Sequence, residues 1–148
     1  MSNISISTIT VNDAPYGQVW QLREDVLRKP LGLSLKNEDL SMDAEDVIYI
    51  ACEGDRVVGC LMLHSISDTV MKFRQMAVET AMQGKGIGRM LMTAAEEDIK
   101  TKGYTTVILH ARQHVCGFYE ALDYFITSSA FTEVGIPHVI MKKMLVEL

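Results

Sequence analysis

The most regular pattern of apolar and polar positions in the chain lies between residues 87 and 99. Apolar side chains recur there at i, i+3, i+4, i+7, i+8 and i+12, which is the spacing of one helix face. The members of this face are Ile87, Met90, Leu91, Ala94, Ala95 and Ile99. On the opposite face, Glu96 and Lys100 are spaced for an i,i+4 ion pair. We therefore predict an amphipathic helix that ends before Gly103, a helix-stop residue.

Shorter patterns predict strands before this helix. Residues 47–52 and 57–64 are rich in apolar and β-branched residues and flank Glu53-Gly54-Asp55-Arg56, which is a strong hairpin signal. A third strand is predicted over residues 69–78, but one of its faces would mix charged and apolar side chains. The members of that face would be Val70, Lys72, Arg74, Met76 and Val78. A bulge would resolve this conflict and would leave backbone groups unpaired.

The rest of the chain alternates between strand and helix patterns. The further predicted elements are strand 4–10, helix 16–27, loop 31–42, strand 105–110, helix 115–122 and strands 125–128 and 138–144. This order favours an α/β (α+β) fold in which helices cover both faces of a mixed sheet. Because loops as long as 31–42 are often functional, we expect this one to close over a substrate.

Composition limits the class of protein. The 148 residues are 48% hydrophobic, which is enough to bury a substantial core in a single domain, 1–148. The sequence has no uninterrupted apolar run of about 18 residues and no signal-peptide pattern, so we expect a cytoplasmic protein without a membrane span. Cys52, Cys60 and Cys116 are odd in number and lack C-x-x-C spacing. They therefore favour neither a disulfide framework nor a zinc site, and no metal is expected.

Charge is distributed unevenly along the chain. The net charge of −5 argues against a nucleic-acid binder. Residues 1–68 carry five Lys/Arg against eleven Asp/Glu, a balance of −6, and residues 113–148 carry two against four, a balance of −2. Residues 69–112 carry seven against four, a balance of +3. The basic segment thus contains the predicted helix and the turn before it, as a site for a polyanion requires.

The turn before the helix reads Gln83-Gly84-Lys85-Gly86-Ile87-Gly88-Arg89. Its three glycines at alternate positions allow a tight turn and leave space for a ligand. The first amides of the following helix can bind a phosphate, next to the charges of Lys85 and Arg89. A Walker loop would need Ser or Thr at Gly86, and the dinucleotide motif would need glycine at Leu91, so neither motif is present.

The pattern that does fit is Q-x-x-G-x-G, formed by Gln83, Gly86 and Gly88. It resembles the pyrophosphate-binding motif of the GNAT superfamily of N-acetyltransferases. The order of the elements and the stretch Phe118-Tyr119-Glu120-Ala121-Leu122 are also similar to that family, over nearly the whole chain. Segments that resemble the small bacterial ElaA-like branch are 22–32, 74–78 and 135–138. The resemblance implies a mixed, mostly antiparallel central sheet.

The resemblance also implies acetyl-CoA as co-substrate and assigns residues to it. Backbone groups of Met76, Ala77 and Val78 would pair with the pantetheine arm along the broken strand. The residues that would hold the pyrophosphate are Gln83, Gly84, Lys85, Gly86, Ile87, Gly88 and Arg89. Tyr119 would lie near the thioester sulfur and return a proton to the leaving thiolate. Arg112 departs from the pattern, because many family members have Asn there.

Acetyl transfer to an amine also requires a base. A lysine-like amine has a pKa of about 10.4, so only about one molecule in 10³ is neutral at pH 7. The candidate bases are His138, at the start of the last strand, and His110, at the end of the strand that follows the helix. Structural hydrogen-bonding roles for both stay open. The N–H of Val78 or its neighbours can stabilise the oxyanion, and Tyr119 is the candidate acid.

We predict an N-acetyltransferase that moves an acetyl group from acetyl-CoA directly to a primary amine of a small molecule or peptide, with both substrates bound together. A non-catalytic acyl-CoA-binding or sensing module of the same fold is the alternative, and a nucleotide-binding regulatory domain is the third candidate. No nucleic-acid or membrane partner is expected. A homodimer is compatible with the sequence, which does not specify the amine.

Overall fold

In the computed structural model, which describes residues 3–145, eight strands form one sheet. The strands are β1 Ile4–Ile9, β2 Val47–Glu53, β3 Arg56–Ser65, β4 Val70–Val78, β5 Thr106–Arg112, β6 Phe125–Ile126, β7 Phe131–Glu133 and β8 Ile136–Met144. The α-helices are α1 Tyr16–Arg23, α2 Ile87–Thr101 and α3 Cys116–Glu120. A π-helical turn, Glu24–Arg28, extends α1. Within residues 3–145, no helix is both long and apolar enough to cross a bilayer.

The strands lie in the order β1-β2-β3-β4-β5-β8-β6, and β7 pairs with β8. Across the described part of the chain, the paired strands are antiparallel except for β4 and β5, which are parallel. α1 packs on one face of the sheet and α2 on the other. The predicted mixed, mostly antiparallel sheet with helices on both faces is therefore confirmed.

Alternation along β2 explains why both faces are covered. Ile48 and Ile50 point to the face that packs against α1, whereas Tyr49 and Ala51 point to the face that packs against α2. All four side chains are buried. A strand that is covered on both faces forms a nearly continuous apolar run. The predicted hairpin of β2 and β3 is confirmed, with Gly54 in its turn.

α2 buries a face that is slightly rotated from the predicted one. Its buried residues are Ile87, Leu91, Met92, Ala95 and Ile99. Met92 takes the place predicted for Met90, which is 38% exposed. The predicted pair of Glu96 with Lys100 is also wrong, because Glu96 accepts a hydrogen bond from Lys143 Nζ at 2.6 Å. A tertiary contact with β8 therefore overrides the local i,i+4 spacing.

The predicted bulge in the third core strand is present in β4. The register of β3 with β4 shifts between Cys60 and Met62. The partners of these two residues on β4 are Ala77 and Arg74, which are three positions apart, so β4 carries an extra residue here. Gln75 lies in this bulge with a φ of 55°, a value that non-glycine residues rarely adopt.

Beyond the bulge, β4 and β5 separate. Their parallel pairing ends at Phe73 and Leu109, although β4 continues to Val78. On the other side, β5 stays paired with β8 as far as Arg112. The edge of β4 after Phe73 therefore faces a cleft instead of a neighbouring strand.

The last part of the chain contains a strand that the sequence did not predict. β7 forms a hairpin with β8 around Val134 and Gly135, both at positive φ. The sequence predicted only a connecting loop for this segment. The hairpin adds Glu133, the last residue of β7, to the sheet beside the start of β8.

The predicted loop over residues 31–42 is tied to the end of α1 by polar contacts. Arg28 donates from Nε and Nη2 to the Glu38 carboxylate at 2.6 and 3.2 Å. The Glu24 carboxylate accepts from the Ser34 hydroxyl at 2.6 Å and from the Leu35 amide at 2.9 Å. These contacts hold the loop close to the cleft. Its closure over a substrate stays a prediction.

Candidate active site

A cavity of about 700 Å³ opens where β4 and β5 separate. The predicted site residues that line it are Met76, Ala77, Val78, Gln83, Gly84, Gly86, Ile87, Gly88, Arg89, His110, Tyr119 and His138. Lys85 does not line the cavity, and its Nζ lies 3.9 Å from the sulfur of Met82. The glycine turn and the three catalytic candidates, which were predicted from separate parts of the sequence, therefore share one space.

The turn between β4 and α2 presents a row of backbone amides. Gly84 and Gly86 have φ values of 79° and 81°, in the left-handed region that favours glycine. Among residues 3–145, no acceptor is found for the amides from Gly84 to Arg89. These amides also form the positive end of the α2 dipole. A polyanion such as a diphosphate fits this row of donors.

Contacts with β4 and α3 fix the position of the turn. Gln83 donates from Nε2 to the carbonyl of Val78 at 3.0 Å, which ties the turn to the end of β4. A Cβ at Gly88 would lie 3.2 Å from Cζ of Phe118, closer than ordinary van der Waals contact. Glycine at this position therefore allows α3 to approach α2, and the approach brings Tyr119 to the cleft.

Tyr119 lies between the cavity and the core. Its ring makes edge contacts with the rings of Phe118 and Tyr124, at centroid distances of 5.0 and 5.9 Å. Burial raises the pKa of Tyr119 to about 12, although the nearby charge of Arg112 opposes this shift. The hydroxyl therefore keeps its proton at neutral pH and can donate a hydrogen bond into the cavity.

Glu133 connects the two candidate bases. Its Oε1 accepts a hydrogen bond from His110 Nδ1 at 2.9 Å, and its Oε2 lies 3.6 Å from His138 Nε2. A carboxylate can only accept, so Nδ1 of His110 carries a proton, and in the neutral imidazole the lone pair is on Nε2. His138 is 4% exposed and donates from Nδ1 to the carbonyl of Ile136 at 3.0 Å. The Glu133 carboxylate therefore orients the His110 ring.

The sequence analysis did not identify Glu133 as a site residue. It belongs to β7, whose three residues are too few to show an alternating pattern. One signal was available, because Val134-Gly135 separates Glu133 from an apolar run, and glycine at the second position of a two-residue turn is a hairpin signal.

The sequence profile of the Acetyltransferase (GNAT) domain family matches residues 32–145. This match covers most of the chain and includes both the glycine turn and the last strands. The chain belongs to the GNAT acetyltransferase family. The resemblance to this family seen in the sequence is confirmed.

Solved structures of other GNAT acetyltransferases share this fold. A provisionally named N-acetyltransferase from Lactobacillus plantarum is 29% identical, with a TM-score of 0.85 over 97% of this chain and 99% of that one. ElaA of Escherichia coli is 19% identical, with a TM-score of 0.82, and the match covers 95% of this chain and 99% of ElaA. A GNAT family acetyltransferase from Elizabethkingia anophelis, with acetyl-CoA bound, is 18% identical, with a TM-score of 0.71 over 97% and 99%.

Two of the curated relatives that the chain matches come from Bacillus subtilis (strain 168). One relative is 45% identical to this chain over 58 residues, and the other is 33% identical to it over 72 residues. The matched segments cover 39% and 49% of this chain, and the same shares of those relatives. The chain thus matches less than two thirds of their length.

In this GNAT acetyltransferase, Arg112 joins β5 to the extension of α1. Its Nη2 donates to the carbonyl of Leu27 at 2.9 Å. Burial lowers the pKa of Arg112, and the neighbouring charge of Arg28 lowers it further. The side chain also lines the cavity. The departure from the family's Asn therefore provides a link between two walls of the cleft.

A buried ionic network supports the same wall of the acetyltransferase. Asp43 accepts hydrogen bonds from Arg23 Nη1 and from the Tyr16 hydroxyl, both at 2.7 Å, and from Arg74 Nη1 at 3.2 Å. Burial would raise the pKa of Asp43, but the hydrogen bonds from Arg23 and Tyr16 hold it below its ordinary value. Asp46 is also buried and pairs with Arg74, whose side chain lines the cavity.

Proposed function

We propose that this chain, as one catalytic domain, is an N-acetyltransferase that transfers an acetyl group from acetyl-CoA directly to a primary amine. The observation that carries the proposal is the cleft beside β4, because it joins a row of free amides to a hydroxyl donor, Tyr119, and a candidate base in one cavity. The acetyl-CoA bound to the Elizabethkingia anophelis acetyltransferase of the same fold supports the choice of co-substrate.

The residues present fit coenzyme A. The amides from Gly84 to Arg89 would bind the diphosphate, and Arg89 adds a positive charge at the cavity wall. The unpaired edge of β4 from Met76 to Val78 would hydrogen-bond the pantetheine amides as a neighbouring strand would. Bound acetyl-CoA supplies the thioester at which the amine forms a C–N bond while the C–S bond breaks.

His110 is the proposed base, with Glu133 as its positioning residue. The hydrogen bond to Glu133 fixes the His110 tautomer, so Nε2 can take the proton that the ammonium form of the substrate must lose before its nitrogen attacks. His138 is buried and donates its Nδ1 proton to a backbone carbonyl, which favours a supporting role beside Glu133. Deprotonation matters because only about one lysine-like amine in 10³ is neutral at pH 7.

Tyr119 and the backbone of β4 stabilise the charge that develops. The N–H of Val78 or a neighbour at the strand edge would donate to the tetrahedral oxyanion. Burial raises the pKa of Tyr119 to about 12, above the value of about 8.5 for a thiol, so complete proton transfer to the departing sulfur is uphill. Tyr119 therefore donates a hydrogen bond to the sulfur, and the proton lost by the amine returns to the thiolate through solvent.

The test is a thiol-release assay with acetyl-CoA and a broad panel of primary amines. We expect release that depends on the amine, and we expect Tyr119→Phe to lower kcat about 100-fold while acetyl-CoA binds with unchanged affinity. A non-catalytic acyl-CoA-binding module would bind acetyl-CoA but release no thiol with any amine. Release that Tyr119→Phe leaves unchanged would remove Tyr119 from the mechanism.

A further inference from the structure

A second, smaller cavity of about 320 Å³ adjoins the first. The two share Arg74, Gln75, His110 and Glu133 in their walls, so the smaller cavity begins at the proposed base. Lys72 lines the smaller cavity but not the larger one. A volume of this size suits a small molecule.

Lys72 is the cation of this cavity that lacks an acidic partner. Arg28 is held by both oxygens of Glu38, and Arg74 is held by Asp46 and Asp43. Among residues 3–145, no carboxylate lies within ion-pair distance of the Lys72 ammonium, although the residue is partly buried. A partly buried ammonium without a counter-ion attracts an anionic ligand.

The end of the cavity at the bulge has the opposite character. Oε1 of Gln75 is buried, and no donor for it exists in the described chain. The backbone of Gln75 is also strained, with a φ of 55°. Glu133 lies in the wall of the same cavity. An amine that reaches this end lies close to the Glu133 carboxylate, which favours a cationic or hydrogen-bond-donating group there.

We propose that the acceptor is a small primary amine that carries an anionic group, a carboxylate or a phosphate, which binds Lys72. This inference rests on the proposed acetyl transfer and adds the class of the acceptor. Lys72 pairs with Ile108, two positions before His110 on β5, so the two side chains are separated along the strand by about 7 Å. This spacing suits a short chain between the amine and the anionic group.

The experiment compares acceptors that differ in one group, anionic or neutral, and refers each rate to the neutral fraction of that amine. Unbranched ω-amino acids, from glycine upward, are each paired with their carboxamides, and a parallel series uses aminoalkyl phosphates with the matching amino alcohols. We expect kcat/KM to be about tenfold higher for the anionic member of the best pair. In Lys72→Gln this preference should vanish, and in Lys72→Arg it should persist.

Lys142→Gln is the matched control, because Lys142 pairs with Ile108 from the other side and lines neither cavity. It should keep the wild-type preference. Acetyl-CoA affinity, measured for every variant, should not change. Neutral amines that are used as well as the anionic ones, or a preference that survives in Lys72→Gln, would overturn the inference. Absence of thiol release with every amine would instead refute the proposed acetyl transfer.

Discussion

The two walls of the cleft are built in different ways. One wall, called the backbone wall below, is the turn before α2, where the backbone amides from Gly84 to Arg89 have no acceptor within residues 3–145. The other wall, called the acceptor wall below, consists of side chains from three different strands: Lys72 of β4, His110 of β5 and Glu133 of β7. The first wall is continuous in sequence, whereas the second depends on how β4, β5 and β7 are placed in the sheet.

This difference separates the two tasks of the proposed enzyme. Backbone donors are the same whatever side chains surround them, so the turn suits a co-substrate that is common to a whole family. Side chains on separate strands can each change without disturbing the sheet, so the second wall suits a specific acceptor. Perturbing the two walls separately should therefore affect acetyl-CoA and the amine separately.

The largest effect is expected from Gly86→Glu on the backbone wall. Gly86 has a φ of 81°, and a carboxylate there would stand beside the bound diphosphate. We expect acetyl-CoA affinity to fall at least 100-fold, with a loss of only about 1–2 kcal/mol in the free energy of unfolding from the strained φ. Calorimetric titration with acetyl-CoA and thermal unfolding measure the two quantities.

Gly17→Glu is the matched control for this substitution. Gly17 lies in the first turn of α1, where an added Cβ meets nothing within 4 Å and the φ is not positive. It introduces the same charge away from the cavity and should bind acetyl-CoA normally. Normal binding by Gly86→Glu would show that the turn does not hold the diphosphate.

The same difference explains what the sequence could predict. The glycine turn, α2 and the β2–β3 hairpin depend on residues close together in the chain, and local patterns reveal them. The bulge in β4 was also predicted, because Lys72 and Arg74 interrupt an apolar strand. The position of the backbone wall could therefore be predicted from the sequence alone.

In the acceptor wall, His110 was predicted as a candidate base, but Lys72 and Glu133 could not be predicted as its neighbours, because long-range pairing brings the three together. Glu133 reaches His110 only because β8 pairs with both β5 and β7. Likewise, Met92 replaces Met90 in the core because neighbouring strands set the rotation of α2, which a single helical pattern does not fix. The partners of Asp43 lie 20 and 31 positions away, at Arg23 and Arg74.

The next largest effect is expected from Asp43→Asn, which weakens the support of the acceptor wall. The substitution leaves Arg23 without a buried counter-ion and leaves Arg74 paired with Asp46 alone, so we expect a loss of about 3 kcal/mol in the free energy of unfolding. Arg74 lines both cavities, and KM for the amine should therefore rise while acetyl-CoA affinity is retained. Denaturant unfolding and steady-state kinetics measure these quantities.

Acid should remove the same stabilisation from the wild type. Hydrogen bonds from Arg23 and Tyr16 outweigh burial and lower the pKa of Asp43 from 3.8, so its contribution is present above that pH and disappears as the pH falls through the lower folded value. Asp43→Asn should therefore lose less stability on acidification. Asp68→Asn, at an exposed turn, should behave as the wild type. Equal acid sensitivity of Asp43→Asn and the wild type would contradict this role.

The smallest effect is expected from Glu133→Gln, which tests how the acceptor wall acts in the chemical step. An amide at residue 133 has a single acceptor oxygen and its nitrogen can only donate, so the His110 tautomer with a free Nε2 is no longer fixed. We expect kcat to fall about tenfold with the affinity for acetyl-CoA unchanged, whereas Glu120→Gln on the exposed side of α3 should be silent. Because a neutral amine can attack the thioester without first losing a proton to a base, hydroxylamine, which is neutral at pH 7, should be acetylated by Glu133→Gln with little loss. An equal loss with hydroxylamine and with a lysine-like amine would show that Glu133 supports the shape of the wall and does not orient a base.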